Sequence, residues 1–264
     1  MKTLIYQVYV GKRSKLYDHC TRSVAEYAKR IGAEYIQQKA PILMIRPDPF
    51  ATNRSKESYE KHGGFLPIFE KENAFTYLKS YDQVAIIDAD IYIPAHVQDS
   101  IFEAAGVDCD FAGVLERDMP VTEQYRNKIV NYSIMQYKTN TLHHLFDWNH
   151  KSGGDFYNMG MMVLNKSIEK YLKGETPHQF LKRPEFKPFV DGMGNWKWST
   201  DQTLLNVWIK QEKMKVKNLP FIWNGLFTGI EMSKIKECNF VHFFLKDKLP
   251  NRGENVEQLM EQIK

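Results

Sequence analysis

Two carboxylates at the end of an apolar run are the residues of this sequence whose spacing points most directly to chemistry. Asp88 and Asp90 follow residues 84–87, which are apolar on both faces like a central strand of an α/β sheet. Alternate side chains of an extended chain point the same way, so the two carboxylates are predicted to be neighbours. Neighbouring carboxylates raise each other's pKa unless a cation lies between them, and hard divalent cations prefer oxygen ligands. The pair therefore predicts a divalent-metal site, with turn or capping aspartates as the alternative, because D-x-D also occurs by chance.

Four other polar residues are candidates for the same site, and each has a structural alternative. His242 lies in an aromatic run, where a hydrogen-bonded core histidine is the commoner outcome. Asp201 and Gln202 open an apolar helical pattern, in which Ser199 and Gln202 fit a capping box and Asp201 complements the helix dipole. Asn158 fits a turn before a glycine. Only the aspartate pair raises a metal role for His242 above its alternative, and both interpretations of Asp201 and Gln202 stay open.

Three lysines are candidates for binding an anionic ligand. Lys71 lies between two glutamates in a charged helical pattern, where surface ion pairing is the ordinary outcome. Lys246 and Lys248 follow the aromatic run that contains His242 and fit solvated charges as well. The lysines alone do not define a site.

Two aromatic or histidine-rich segments are less informative. Residues 143–150 contain three histidines and an aspartate but no zinc-binding pattern, and we assign them to a loop or an acceptor-side surface. Trp196 and Trp198 predict either an aromatic platform for a sugar ring or core packing.

The elements that must position these residues begin with a strand, a helix and a further strand. Residues 4–10 predict a buried strand, and Asp18 is a candidate cap for a helix whose apolar spacing ends near Gly32. Residues 35–36 and 42–45 predict further extended segments. This order is typical of an α/β fold with a parallel sheet.

The remaining elements alternate along the chain. Residues 46–64 predict a loop or mobile flap with room for one helical turn, and residues 116–155 predict a partly helical segment. The other predictions are helices at residues 67–78 and 200–209, strands at 84–87, 109–115, 159–164 and 241–245, and a terminal amphipathic helix with Val256, Leu259, Met260 and Ile263 on its apolar face.

Composition places the chain among ordinary globular proteins. It has 264 residues, 43% hydrophobic and 26% charged, which argues against disorder. The net charge of +4 is spread along the chain, so it indicates neither a nucleic-acid nor a membrane partner. Three distant cysteines exclude a disulfide framework. With no signal-peptide pattern and no long apolar run, we expect a cytoplasmic protein.

Four segments, in this order, resemble the GT-A fold glycosyltransferases, and most closely glycosyltransferase family 8, which includes glycogenin and bacterial lipopolysaccharide galactosyltransferases. The segments are YDQVAIIDADIYI (residues 81–93), FYNMGMMVLN (156–165), STDQTLLNVW (199–208) and NFVHFFLKDK (239–248). The resemblance implies a Rossmann-like α/β fold with a mostly parallel sheet. It also implies an enzyme that uses a nucleotide-diphospho-sugar donor.

The resemblance implies a role for each candidate residue. Asp88, Asp90 and His242 would hold Mn²⁺ or Mg²⁺, and imidazole beside carboxylates favours Mn²⁺ over Mg²⁺. The residues implied in binding the donor, most simply a UDP-sugar, are Lys71, Asn158, Lys248 with Lys246 as its competitor, and Val8 and Tyr9, which stand where the family binds base and ribose. Asp201 would bind sugar hydroxyls, and Gln202 would lie near the anomeric carbon.

The sequence therefore predicts a metal-dependent glycosyltransferase that acts on an acceptor hydroxyl, with retention implied by the resemblance. The acceptor is an unidentified glycan, lipid-linked or protein molecule. The alternative is a non-catalytic nucleotide-sugar or glycan binding protein on the same fold. We expect one domain over residues 1–264, with a nucleotide-binding half (1–115) and an acceptor-side, metal-completing half (116–264).

Overall fold

The computed structural model describes residues 1–263 as a mixed α/β fold around a six-stranded sheet. The strands are β1 (Thr3–Val8), β2 (Glu34–Gln38), β3 (Gln83–Ile87), β4 (Ile91–Tyr92), β5 (Phe111–Leu115), β6 (Trp148–Asn149), β7 (Gly153–Gly154), β8 (Tyr157–Asn165), β9 (Val216–Asn218), β10 (Gly225–Leu226) and β11 (Val241–His242). The α-helices are α1 (Lys15–Arg30), α2 (Ile101–Ala105), α3 (Glu123–Tyr137), α4 (Glu169–Leu172), α5 (Pro177–Leu181), α6 (Lys187–Asp191), α7 (Asp201–Gln211), α8 (Met232–Ile235) and α9 (Val256–Ile263).

The central sheet has the order β2-β1-β3-β8-β5-β9, and β8 alone runs antiparallel to its neighbours. The mostly parallel sheet implied by the resemblance is confirmed. Its middle strands β3, β5 and β8 are buried along their whole length, as expected of strands covered on both faces. A small sheet, β10-β11-β4, stands beyond the carboxyl end of β3.

Apolar spacing explains the two helices that the sequence predicted at the ends of the chain. In α1, Cys20, Val24 and Tyr27 are buried, and in α9, Leu259 is fully buried. The remaining apolar residues of α9 pack partly buried against the same core. In the described part of the chain, no helix combines the length and apolar character needed to cross a bilayer.

Three details of the predicted elements are wrong. Ser14 occupies the N-cap position of α1, whereas Asp18 lies inside the first turn and pairs with Arg13 at 2.8 Å. Residues 42–45 form no strand, because the buried carboxylate of Glu70 accepts hydrogen bonds from the backbone of residues 42–44. The strand predicted at 241–245 ends at His242, and the backbone reaches the left-handed region at Leu245.

Two other segments also differ from their predicted form. The predicted helix at 67–78 is the 3-10 segment Pro67–Lys79, in which eight side chains are buried and no amphipathic face remains. The predicted flap contains two 3-10 turns, Lys56–Ser58 and Glu60–His62. It is anchored, because Arg54 donates to the carbonyls of Phe189, Val190 and Ser199.

Candidate metal and donor site

The small sheet explains how residues 154 positions apart in sequence come together. Asp88 and Asp90 form the turn between β3 and β4, and the turn is held by hydrogen bonds from Asp88 N to Gly160 O and from Ile91 N to Asp88 O. Strand β4 pairs antiparallel with β11 so that Ile91 lies opposite His242. This register places the imidazole beside Asp90.

The three predicted metal ligands form one cluster. His242 Nε2 lies 3.2 Å from Asp90 Oδ1 and 4.0 Å from Asp88 Oδ2. One ligand atom from each residue lies within 4.8 Å of the others. Within residues 1–263, residues 143–150 contribute to no such cluster, and Asp147 instead pairs with Arg117 at 2.8 Å.

A hydrogen-bond chain fixes the orientation of the imidazole. Asn224 Nδ2 donates to Asn158 Oδ1 at 2.9 Å, so Asn224 Oδ1 faces His242 Nδ1 at 3.0 Å and must accept from it. Nε2 is therefore the nitrogen left for a metal in the neutral imidazole, an arrangement typical of histidine ligands. A Cβ on Gly160 would collide with the imidazole, which explains the glycine at this position.

Burial and the charges of the cluster shift the pKa values of its three members in different directions. Burial raises the pKa of Asp88 to about 6, against the lowering effect of Lys71. Burial also acts to raise the pKa of Asp90, but His242 outweighs it and the net pKa is lowered. For His242 burial acts to lower the pKa, and the charges of Asp90 and Asp88 raise it overall. Two oxygen donors and one imidazole nitrogen fit a divalent transition metal.

Lys71 links the metal cluster to the start of α7. Its ammonium lies 2.9 Å from Asp88 Oδ1 and 2.7 Å from Asp201 Oδ2, and it donates to Met159 O at 3.0 Å. Lys71 is only 7% exposed, so the alternative of a surface lysine paired with its neighbouring glutamates is wrong. Burial acts to lower the pKa of Lys71, but Asp201 and Asp88 raise it overall, and the ammonium stays charged.

Asp201 and Gln202 are brought to the same place by the first turn of α7. The capping box predicted for Ser199 and Gln202 is wrong, because the side chain of Thr200 caps the helix and Ser199 donates to Phe189 O instead. Gln202 Oε1 accepts from Met159 N at 3.1 Å. Gln202 is therefore hydrogen-bonded to β8 beside Asn158.

A cavity of about 510 Å³ opens above these residues and adjoins a cleft of about 320 Å³. Both are lined by Ile68, Lys71, Asp88 and Asp90. The larger cavity adds Glu116, Tyr125, Lys128, Ile129, Tyr132, Asn158, Met159, Gly160, Thr200, Asp201, Gln202, His242, Phe244 and Leu245. The smaller cleft adds Val8, Tyr9, Val10, Tyr17, Pro67 and Ala89. The structure thus gathers nine of the eleven predicted site residues around two connected spaces.

Lys246 and Lys248 line neither space. Lys246 donates to Ser14 Oγ at 2.8 Å and to Glu254 at 3.0 Å, and lies over the ring of Tyr17. Lys248 is exposed, and its ammonium lowers the pKa of Lys128, a lysine of the larger cavity.

Glu116 is a residue of this site that sequence reasoning missed, as is Asn224. Glu116 directly follows the buried strand β5 and lines the larger cavity. Asp88 follows β3 in the same way, so the rule that polar residues after buried strands mark a ligand site would have found Glu116. The two tryptophans differ in their surroundings. Trp196 packs against Phe189, whereas Trp198 is 59% exposed.

No family model matches the chain, and no curated protein matches it in sequence. Several solved structures are similar to this chain in fold. A glycosyltransferase involved in glycosylating the major capsid of PBCV-1 shares 12% identity over 99% of this chain and 100% of its own, with a TM-score of 0.54. Mouse xyloside xylosyltransferase 1 shares 10% identity over 95% of this chain and 100% of its own, with a TM-score of 0.52. The galactosyltransferase LgtC, in complex with donor and acceptor sugar analogues, shares 13% identity over 98% of this chain and 95% of its own, with a TM-score of 0.50. The protein therefore has the GT-A fold of the glycosyltransferases that its sequence resembles.

Proposed function

We propose that this protein is a divalent-metal-dependent glycosyltransferase that moves a sugar from a nucleotide-diphospho-sugar to an acceptor hydroxyl with retention. The observation that carries the proposal is the cluster of Asp88, Asp90 and His242 at the carboxyl end of β3, beside a cavity of a GT-A fold. A UDP-sugar is our proposed donor. The acceptor is a glycan, a lipid-linked sugar or a protein.

Asp88, Asp90 and His242 are the residues that would hold Mn²⁺ or Mg²⁺. When bound, the metal supplies positive charge that offsets the negative charge gathering on the leaving nucleoside diphosphate. Asn224 would keep Nε2 of His242 pointed at that site through its hydrogen bond to Nδ1.

The other predicted residues would bind the donor. Lys71, fixed by Asp88 and Asp201, is oriented from both sides and lines both spaces. Val8 and Tyr9 line the smaller cleft, where the base and ribose would lie. We favour Lys248 over Lys246 for the diphosphate, because Lys246 already pairs with Glu254.

Asn158, Asp201 and Gln202 line the larger cavity, where the transferred sugar would lie. In the proposed reaction the bond from C1 to the diphosphate oxygen breaks and its electron pair leaves with the nucleoside diphosphate. The acceptor oxygen bonds to C1 on the same face, and its proton passes to an oxygen of the leaving diphosphate. The protein contributes mainly by orienting the reactants and stabilising charge.

We propose one domain with two functional halves. In support, every residue that lines the smaller cleft lies between Val8 and Asp90, whereas the larger cavity also takes residues from Glu116 to Leu245. The donor nucleotide would thus bind the first half and the sugar would bind between the halves.

The test is thermal-shift binding of UDP and GDP, each with and without Mn²⁺, followed by release of UDP or GDP from a panel of nucleotide-sugars. We expect stabilisation that needs both UDP and Mn²⁺ and is lost in Asp90→Asn. The matched control is Asp155→Asn, because its side chain is 15% exposed against 17% for Asp90 and it lines neither space. Binding without turnover would support the non-catalytic alternative, and no binding of either nucleotide would reject both.

A further inference from the structure

The larger cavity has four carboxylates in its wall, and three of them have a lysine or histidine partner. Lys71 lies within 2.9 Å of both Asp88 and Asp201, and His242 lies 3.2 Å from Asp90. Each of these three carboxylates therefore has a lysine or histidine nitrogen beside it, before any metal is considered.

Glu116 is the fourth, and its partners are neutral. Its Oε1 accepts from the hydroxyl of Tyr125 at 2.7 Å, and its carboxylate faces the side-chain amides of Asn158 and Gln202. Within residues 1–263, no lysine, arginine or histidine nitrogen lies within 4.0 Å of it. Glu116 is only 4% exposed, so water screens its charge poorly.

A carboxylate buried without a cation is costly, and such groups concentrate at functional sites. The hydrogen bonds that Glu116 makes to its neighbours do not explain why a carboxylate occupies this position, because an apolar or amide residue would avoid the cost of burying a charge. Among the described residues, no positively charged group contacts Glu116, and His242 acts on it only through space across the cavity. The transition state of glycosyl transfer carries a positive charge, since the anomeric carbon becomes oxocarbenium-like as the leaving group departs.

We propose that Glu116 is a catalytic residue whose carboxylate faces the transferred sugar and stabilises the positive charge that develops at its anomeric carbon. This inference rests on the proposed function and adds a residue to it. Glu116 forms no covalent bond and takes no proton in this role. Tyr125 holds one carboxylate oxygen, and Gln202 beside it lies where the sequence resemblance places the anomeric carbon.

The main test uses Glu116→Gln and measures steady-state release of UDP from UDP-sugars, with water or the acceptor as nucleophile. We expect kcat to fall about 10²- to 10³-fold, the usual cost of losing one preorganised charge-stabilising group, while KM for the donor changes less than threefold. Stabilisation by UDP with Mn²⁺ should stay at the wild-type value. The matched control is Glu34→Gln, a glutamate that also accepts from a tyrosine hydroxyl, Tyr81, but lies on the edge strand β2.

A second measurement separates a charge effect from a structural one and does not need the variant to fold. In the presence of UDP and Mn²⁺, the wild type should bind protonated iminosugars at least tenfold more tightly than their neutral 1,5-anhydro analogues. Glu116→Gln should abolish this preference, and Tyr125→Phe, which keeps the carboxylate, should retain most of it.

Unchanged kcat in Glu116→Gln would overturn this inference and leave the proposed function standing, as would a raised KM at unchanged kcat. Equal binding of charged and neutral sugar analogues by the wild type would also overturn it. A wild type that releases no UDP or GDP from any nucleotide-sugar would overturn the proposed function and this inference together.

Discussion

Asp88 and Asp110 lie at opposite edges of the central sheet. Asp88 lies at the carboxyl edge, where the parallel strands end, and Asp110 lies at the amino edge, where they begin. Their surroundings shift the pKa of the two carboxyl groups in opposite directions. Asp110 precedes β5 and accepts from Ser167, Lys170, Tyr171 and the backbone of Lys215 at 2.6–3.0 Å. Burial acts to raise its pKa, but these donors lower it to about 2. At Asp88 burial prevails and the pKa is raised to about 6.

The difference separates a structural carboxylate from one available to a ligand. At the amino edge of the sheet, the fold supplies every donor that Asp110 needs. At the carboxyl edge, Asp88 shares its space with Asp90 and Asp201, and the fold supplies only Lys71 and His242 nearby. Crowded like charges with too few donors are typical of a site that awaits a cation.

The largest effect should follow the removal of a ligand at the carboxyl edge. Asp90→Asn is expected to lower kcat for sugar transfer about 10³-fold or more, since metal charge stabilisation is worth several kcal/mol. Its free energy of unfolding should change by less than about 1 kcal/mol, because the repulsion between the two carboxylates is relieved. Activity assays with Mn²⁺ and urea denaturation check both values, and wild-type kcat in the variant would contradict the assignment.

At the amino edge we expect a loss of stability without a loss of activity. Asp110→Asn should lower the free energy of unfolding by roughly 2 kcal/mol, because an amide cannot accept from all the donors that surround it. The activity of the folded fraction should stay at the wild-type level. Urea denaturation with a parallel kcat measurement tests this, and a loss of kcat without a loss of stability would remove the contrast between the two edges.

As the pH falls, metal affinity should begin to weaken above pH 6.5, where His242 takes up a proton, and should weaken further as the pH passes through about 6, where Asp88 does. Asp88, with its pKa raised to about 6, and His242, with its pKa raised, must both lose their protons to act as ligands. Each group protonated in the free protein costs about tenfold in affinity per pH unit below its pKa. Titration of Mn²⁺ between pH 5 and 8 measures this, and a flat profile would contradict the ligand set.

The most gradual effect is expected at Glu72, a buried glutamate next to Lys71 in the chain, whose carboxylate oxygens have no hydrogen-bond partner among the described residues. Burial raises its pKa well above the usual value, so the folded protein holds a proton that the unfolded chain releases above about pH 4.5. Stability should therefore fall as pH rises from 5, by up to roughly 1.4 kcal/mol per pH unit.

Glu72→Gln mimics the protonated carboxyl and should remove that slope. At pH 5 its free energy of unfolding should match the wild type within about 0.5 kcal/mol. Urea denaturation of both proteins at pH 5, 6 and 7 makes the comparison, and parallel pH profiles would show that Glu72 is ionised in the fold.

Local patterns predicted most of the elements but not the form of the segments between them. The predicted strand at 84–87 and helix at 200–209 correspond to β3 and α7, because uninterrupted apolar runs and apolar spacing report directly on burial. The extended segment at 42–45 failed because a side chain distant in sequence, Glu70, takes up the backbone donors of residues 42–44. Hydrogen bonds of this kind have no local signature.

The candidate site shows the same division between local and tertiary information. Asp88 and Asp90 could be predicted from their position after a buried run, and the same argument would have reached Glu116 after β5. Lys71 could not be separated from a surface lysine, since its two glutamate neighbours fit an exposed face equally well. Only its burial between Asp88 and Asp201 distinguishes it.

The amino-acid sequence specifies the alternation of strands and helices, the carboxylate pair and the order of segments that resemble GT-A glycosyltransferases. These depend on neighbours a few residues apart, whose spacing is written in the chain. Tertiary structure decided that His242 meets Asp90, that Thr200 caps α7, and which carboxylates find a cation. Strand register and burial set those outcomes, because electrostatic and hydrogen-bond partners are chosen by distance in space.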